Sequence, residues 1–173
     1  MSFGRELAEW HDFYVLVGTA GATLLALLFV AVSLAAGYLT EESKAGTRTF
    51  MSPVVIHFGA VFFLSAISLV PALPAPVFAV IIGVTALIGI VVSSVITVRV
   101  IRTEMTSYLE DYFAYGLLPA LAYLLLLAAA VLIWRASDIG LAFLAGALLL
   151  LALVNIRNAW DLTLAMMWRH KDS

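Results

Sequence analysis

The sequence predicts an all-α integral membrane bundle of five transmembrane helices, at about 13–39, 54–71, 76–99, 113–134 and 139–158, within one domain spanning residues 1–173. Three observations favour this fold class. Hydrophobic residues make up 64% of the chain and charged residues only 12%, roughly half the charged share of a soluble domain. Four long stretches contain no Asp, Glu, Lys or Arg, and the longest of them is divided by a cluster of prolines.

The first predicted helix lies in the charge-free stretch between Asp12 and Glu41. This stretch is long enough to cross the bilayer, because about 20 apolar residues at about 1.5 Å per residue cover about 30 Å of hydrocarbon. Its leading flank carries Glu6, Glu9 and Asp12 against Arg5 alone, unlike the positive flank of a signal peptide. We therefore expect a retained span.

The second charge-free stretch, between Arg48 and Arg99, is 50 residues long, too long for a single crossing. Pro71, Pro74 and Pro76 divide it in the run PALPAP. Prolines remove backbone donors and disfavour a helical conformation in the preceding residue. The pattern predicts a tight uncharged turn between the second and third helices.

The charge-free stretches 112–134 and 139–156 predict the fourth and fifth helices. Pro119 lies inside the fourth, where proline is expected to kink the helix and free a carbonyl group. The fifth helix either ends near its charged flank or continues to Trp168, as one long helix or as an interfacial segment.

The distribution of Lys and Arg predicts the orientation, because cytoplasmic loops are enriched in these residues. Five crossings leave two basic residues, Arg5 and Arg135, on the side that holds the N-terminal tail, the 71–76 turn and the 135–138 loop. The other side, with loops expected at 40–53 and 99–112 and the C-terminal tail, carries seven: Lys44, Arg48, Arg99, Arg102, Arg157, Arg169 and Lys171. We expect the N-terminus outside and the C-terminus in the cytoplasm.

Aromatic residues mark the predicted helix ends. Trp10 and Tyr14 flank the outer end of the first helix, Trp134 the outer end of the fourth, and Trp160 follows the inner end of the fifth. Amphipathic rings favour the headgroup level of a membrane. We expect these four side chains at the interface.

Composition excludes several classes of function. The formal net charge is −2, whereas nucleic-acid binding needs a concentrated basic face. Cysteine is absent, which removes disulfides, thiolate metal sites and cysteine nucleophiles. Arginine outnumbers lysine seven to two and Ala, Val, Leu and Gly dominate, which we interpret as a bacterial origin and hence an inner (plasma) membrane protein.

Small residues recur every four positions on three predicted helices, and residues four apart share a helix face. The stripes are Gly18, Ala22 and Ala26, beside Thr19 and Thr23, on the first helix; Gly89, Ser93 and Thr97 on the third; and Ala142 and Gly146 on the fifth. Small faces let helix backbones approach closely. They serve either packing within one chain or contact between subunits, including a face toward a pore.

His57 lies near the cytoplasmic start of the second predicted helix. It is either a proton-responsive group or an interfacial histidine bonded to water or a backbone carbonyl. A haem held between helices needs two histidines at matched depth, but His11 is on the opposite side and His170 is in the tail. We expect no cofactor and no metal site.

The run NIRNAWDL places the most polar cluster of the chain at a predicted membrane boundary: Asn155, Arg157, Asn158 and Asp161. Asn155, Asn158 and Asp161 share one arc of the helix. Arg157 and Asp161 are four apart and can pair. The cluster is either a polar vestibule or docking site on the cytoplasmic side, or a helix-end anchor with a snorkelling arginine.

Tyrosines recur at helical spacing on and before the fourth predicted helix, at Tyr108, Tyr112, Tyr115 and Tyr123. They either line a water-filled cavity beside the kink at Pro119 or serve packing and the interface. No Asp, Glu, Lys or Arg lies deep in any span, although ion-coupled transporters usually depend on such groups. No H-E-x-x-H, G-x-S-x-G or Walker motif is present, so we expect no enzyme.

The first span, FYVLVGTAGATLLALLFVAVSL, and the run NIRNAWDL resemble a pattern in small multi-pass bacterial inner-membrane proteins of no assigned activity. The resemblance covers about a fifth of the chain, and it implies membrane location alone. Two hypotheses for function stay open. One is a structural or regulatory membrane module that binds copies of itself or other membrane proteins through helix–helix contacts. The other is an oligomeric channel or passive permease lined by the Thr and Ser faces.

Overall fold

A computed structural model describes residues 3–35, 41–102 and 113–171, and these contain helices and turns but no strand. The helices are α1 (Phe3–Glu9), α2 (His11–Ala35), α3 (Glu41–Ser68), α4 (Ala75–Arg102), α5 (Leu118–Trp134) and α6 (Gly140–Lys171). A π-helical turn, Phe113–Leu117, leads directly into α5. The predicted all-α helical bundle is confirmed.

Four helical segments of the described residues are long and apolar enough to cross a membrane: His11–Leu34, Ala75–Val98, Tyr115–Trp134 and Gly140–Asp161. Pro53–Ser68, within α3, is apolar but shorter. Their outward faces carry many large hydrophobic side chains in the open, such as Leu16, Val91 and Leu153, each more than 60% exposed. A water-soluble monomer rarely presents so much contiguous apolar surface.

The start of α3 differs from the sequence prediction. The expected loop at 40–53 is wrong, because α3 is already helical from Glu41 and passes through Pro53. The prediction placed the helix start where the apolar residues begin, but backbone hydrogen bonding continues past the hydrophobic stretch. At the other end of the chain, α6 runs to Lys171, so the expected continuation as one long helix is confirmed.

The turn predicted from the PALPAP run is present between α3 and α4. Ala72 adopts a left-handed φ of 56°, and the Phe78 N–H donates to the Pro74 carbonyl at 3.0 Å as α4 begins. A second tight turn joins α5 to α6. There Ala136 has a φ of 54°, its N–H donates to Ile133, and the Ser137 N–H donates to Leu132, which closes the C-terminus of α5 as a Schellman motif.

Helices that are neighbours in sequence also pack together, and α6 in addition contacts α3 and α2. The main core draws fully buried side chains from every long helix, including Val61, Phe78, Tyr123 and Leu148. A second cluster of Leu28, Val54 and Phe58, with Ala159 packed against it, lies between α2, α3 and α6. α3 therefore packs against α2, α4 and α6, while Ile56, Phe62 and Phe63 on its other face are exposed.

The short helix α1 was not predicted. Its Leu7 is buried in the main core, and the Phe3 ring contacts Phe78 at the start of α4, with ring centroids 5.6 Å apart. Tyr14, expected at the headgroup level, is instead fully buried beside the ring of Phe13. α1 thus covers the end of the bundle near the two turns, and this cover explains why Tyr14 is removed from the surface.

Candidate functional site

A hydrogen bond between His57 and Tyr123 connects α3 to α5 in the interior. The Nδ1 atom of His57 and the hydroxyl of Tyr123 are 2.8 Å apart, and each side chain is only 1% exposed. The two rings also touch, with centroids 5.4 Å apart. A buried polar group far from water needs such a partner, because leaving it unpaired costs about 1–3 kcal/mol.

Gly89 of α4 provides the space that Tyr123 occupies. A Cβ atom built on Gly89 would overlap three atoms of the Tyr123 ring, Cε1, Cδ1 and Cζ. The absence of a side chain at this position therefore lets the ring lie against the α4 backbone and direct its hydroxyl to His57. One contact set joins three helices: α3, α4 and α5.

Ser93 and Thr97 lie on the same face of α4, one and two turns after Gly89. Ser93 is fully buried, and its hydroxyl has no hydrogen-bond partner among the residues that the structure describes. The Thr97 hydroxyl donates to the Ser93 carbonyl at 2.8 Å, and a Cβ on Gly116 would approach the Thr97 Oγ1 to 2.5 Å. The predicted stripe Gly89, Ser93 and Thr97 thus faces the segment 116–123 of the same chain.

Pro119 follows the π-helical turn at the start of the fourth predicted span. Proline has no N–H to donate, and a π turn is a common way for a helix to absorb the disturbed bonding. The turn positions Tyr115, whose hydroxyl donates to the backbone carbonyl of Asn158 at 3.1 Å and so ties this segment to α6. Tyr108 and Tyr112, the other members of the predicted tyrosine series, lie outside the described residues.

The polar cluster of α6 divides between two faces of the helix. Asn155 and Asn158 are buried, at 0% and 1% exposure. The Asn155 Nδ2 donates to the Leu151 carbonyl one turn back at 2.7 Å, while its Oδ1 accepts no hydrogen bond from any described residue. Arg157 and Asp161 point outward and form the predicted ion pair at 3.4 Å.

The outward pair contributes little to stability, because both side chains are more than a third exposed and such pairs are worth about 0–1 kcal/mol. The two buried asparagines, by contrast, face the neighbouring helices of the bundle. Of the four residues of the predicted cluster, only the asparagines join the interior polar groups.

Three of the interior polar residues, His57, Tyr123 and Asn155, lie at a similar depth, which is also the depth of Gly89. The two tight turns place the ends Ser68, Ala75, Trp134 and Gly140 on the same side of the bundle. At about 1.5 Å per residue, His57, Gly89, Tyr123 and Asn155 all lie about 16–22 Å from that side, within about one helical turn of each other. We call these four residues, together with Ser93 one turn beyond Gly89, the polar layer.

The small stripe of the first predicted helix also divides. Gly18 is buried against α3, where a Cβ would come within 2.9 Å of the Ser65 Cβ. Thr19 and Thr23 are exposed on the other side of α2, and the Thr23 hydroxyl donates to the Thr19 carbonyl at 2.8 Å. Ala22 is half-buried between these two faces.

The stripe of the fifth predicted helix points away from the bundle. Ala142 and Gly146 of α6 are both exposed, and a Cβ on Gly146 would meet no other heavy atom within 4 Å in the described part of the chain. Within this chain, then, small residues let helices approach at Gly18 and Gly89 and have no packing partner at Gly146.

Sequence reasoning singled out His57 and Tyr123 separately and missed that they bind each other. The sequence could have suggested this contact. A tyrosine hydroxyl in the middle of an apolar helix needs a polar partner, and the ring of His57 can donate or accept a hydrogen bond at a similar depth. Sequence reasoning also missed that the Tyr123 ring packs directly against Gly89. Only the packing of α3 against α4 and α5 reveals it.

The chemistry available to the polar layer is hydrogen bonding. The buried polar side chains of the described residues are histidine, serine and asparagine, and no Asp, Glu, Lys or Arg is among them. No group of three His, Cys, Asp or Glu side chains within the described ranges is placed to hold a metal ion. Comparison with known proteins found no matching family model, no similar curated protein and no similar solved structure.

Proposed function

We propose that this protein is a bacterial inner-membrane protein with five crossings, which acts as a structural or regulatory module by helix–helix association with copies of itself or with other membrane proteins. The N-terminus lies outside and the C-terminus in the cytoplasm. With five crossings, seven Lys and Arg residues lie on the side of the C-terminus and two on the side of the N-terminus. This distribution supports the orientation, because cytoplasmic segments are enriched in Lys and Arg. The outward faces of the helices would then contact lipid and partner helices.

The packing of α3 supports counting it as the fifth crossing. Its apolar segment Pro53–Ser68 covers only about 24 Å at about 1.5 Å per residue, short of a full span on its own. However, Val54, Phe58, Val61 and Leu64 are fully buried against neighbouring helices. A helix packed against membrane-spanning neighbours along one face lies at the same depth as they do, and its polar extension from Glu41 would then emerge into the cytoplasm.

The observation that carries the proposal is the exposed small face of α6. Ala142 and Gly146 are followed on the same outward side by Leu149 and Leu153, which are 45% and 64% exposed. Between helices in lipid there is no hydrophobic driving force, so close backbone approach at small residues is a main source of attraction. Gly146 leaves room for such an approach from outside the chain.

Photocrosslinking in native membranes tests the proposal, with a photoreactive residue at Leu149. We expect adducts with a defined partner, and we expect Gly146→Leu to abolish them by filling the approach. Gly59→Leu is the matched control, since a Cβ at Gly59 likewise meets no described atom within 4 Å. Adducts at Leu149 no stronger than those from Val84, which is exposed on α4, would rule out association through α6.

One observation favours the channel hypothesis as a second candidate. Thr19 and Thr23 expose hydroxyl-bearing side chains on the outward side of α2, where several copies around an axis could line a path. Ser93, the other hydroxyl of that hypothesis, packs inside the chain. Flux through proteoliposomes that is lost in Thr19→Val and kept in Gly146→Leu would favour the channel over the module.

A further inference from the structure

Three buried polar atoms of the polar layer, each on a different helix, have no hydrogen-bond partner in the described structure. They are Nε2 of His57 on α3, Oγ of Ser93 on α4 and Oδ1 of Asn155 on α6. The side chains are 1%, 0% and 0% exposed. In the interior of an apolar bundle, three buried polar groups without hydrogen-bond partners are costly, because each loses its bonds to water without replacement.

The hydrogen bond to Tyr123 determines what His57 can offer. A tyrosine hydroxyl has a single proton to donate, and the Nδ1 of His57 is its only described acceptor, at 2.8 Å. When the hydroxyl donates to Nδ1, the ring proton resides on Nε2. Nε2–H is then an unused donor, while the Asn155 Oδ1 is an unused acceptor and the Ser93 hydroxyl can do either.

Packing around the polar layer brings these three helices together. α6 packs against α3, and Ala159 of α6 lies against the cluster that Val54 and Phe58 of α3 form with Leu28 of α2. His57 lies between Val54 and Phe58, and Asn155 lies one turn before Ala159, so the two side chains are within about one to two helical turns of each other along the bundle. Tyr123 spans from His57 to Gly89, and Ser93 is the next residue on that face of α4.

We propose that the polar layer binds one small uncharged molecule that both donates and accepts hydrogen bonds, of the size of water or ammonia. It would accept from the His57 Nε2–H, donate to the Asn155 Oδ1 and exchange a hydrogen bond with the Ser93 hydroxyl. A buried water typically makes two to four such bonds, which matches the three groups. A charged ligand is disfavoured, since none of the buried side chains in the described residues is an Asp, Glu, Lys or Arg that would neutralise it.

Solid-state NMR of the full chain in lipid bilayers, labelled with ¹⁵N-histidine, tests the proposal. The chain has three histidines, so a His57→Phe variant assigns the His57 signals. We expect a protonated Nε2 that receives magnetisation from a bound small molecule, and loss of that transfer in Asn155→Leu and its weakening in Ser93→Ala. Transfer from the water resonance identifies water, and transfer from another resonance identifies a different molecule of the class.

Ser65→Ala serves as the control, because the Ser65 hydroxyl is also buried without a described partner but faces Gly18 of α2. It should leave the His57 signal unchanged. Thermal unfolding gives an independent measurement. If a molecule is bound in the polar layer, Asn155→Leu removes one of its hydrogen bonds and lowers the Tm. If the Asn155 Oδ1 has no partner at all, the same substitution raises the Tm. No transfer to Nε2, or a raised Tm for Asn155→Leu, would overturn the proposal.

Discussion

Gly89→Ala tests the central packing contact of the bundle. The added methyl group would overlap the Tyr123 ring, so the ring must move away from α4. Its hydroxyl lies 2.8 Å from His57 Nδ1, and a shift of the ring breaks this bond. We therefore expect the substitution to destabilise the folded bundle, even though alanine is a better helix former than glycine.

The magnitude follows from three contributions. Overpacking of a well-filled core costs about 1–3 kcal/mol. Loss of the buried hydrogen bond costs about 0.5–1.5 kcal/mol. Better helix propensity offsets up to about 1 kcal/mol of this. The free energy of unfolding should therefore fall by about 0.5–4.5 kcal/mol.

Gly83→Ala is the matched control, because it makes the same change on the same helix. There a Cβ would meet the Ala130 Cβ at 3.7 Å, an ordinary van der Waals contact. We expect it to be neutral or stabilising by up to about 1 kcal/mol. The assay is unfolding of the detergent-purified protein in increasing sodium dodecyl sulfate, followed by tryptophan fluorescence. If Gly89→Ala were as stable as Gly83→Ala, Tyr123 would not be seated on Gly89 and the polar layer as described would be wrong.

Two further predictions use the same unfolding assay. Tyr123→Phe removes the hydroxyl that is hydrogen-bonded to His57 and should lower the free energy of unfolding by about 1–3 kcal/mol, because a buried ring nitrogen loses its partner. Tyr14→Phe is the control and should be neutral or stabilising, since the buried Tyr14 hydroxyl has no partner in the described residues. Equal losses of stability in the two variants would contradict this prediction. Ala136→Gly should stabilise the folded protein by up to about 1 kcal/mol, because glycine adopts the left-handed φ of 54° without strain. Ala142→Gly, on the exposed face of α6, should destabilise it by about 1 kcal/mol. A loss of stability in Ala136→Gly would refute the account of the turn.

The helices and the proline turn could be predicted because they follow from local properties of the chain. A charge-free run fixes where lipid can surround a helix, and PALPAP fixes a break between Ser68 and Ala75. The start of α3 at Glu41 could not be predicted in this way, because hydropathy reports where the apolar environment ends and not where backbone hydrogen bonding ends. The helix α1 depends on a distant contact between Phe3 and Phe78, which no local pattern encodes.

The candidate site was predictable as a set of residues but not as an arrangement. The periodicity of Gly89, Ser93 and Thr97 shows that they share a face, yet it does not tell whether that face points inward or outward. His57 and Tyr123 are 66 positions apart, and their contact depends on the relative depth and rotation of α3 and α5. Both quantities are set by packing among helices.

The direction of each small stripe separates the two functional hypotheses. Gly18 and Gly89 are used for close packing inside the chain, so substitutions there report on folding and not on association. The outward faces that remain lie on different helices, Thr19 and Thr23 on α2 and Gly146 on α6. A module that associates through α6 is therefore sensitive to Gly146→Leu and tolerant of Thr19→Val, and a channel lined by α2 shows the opposite pattern.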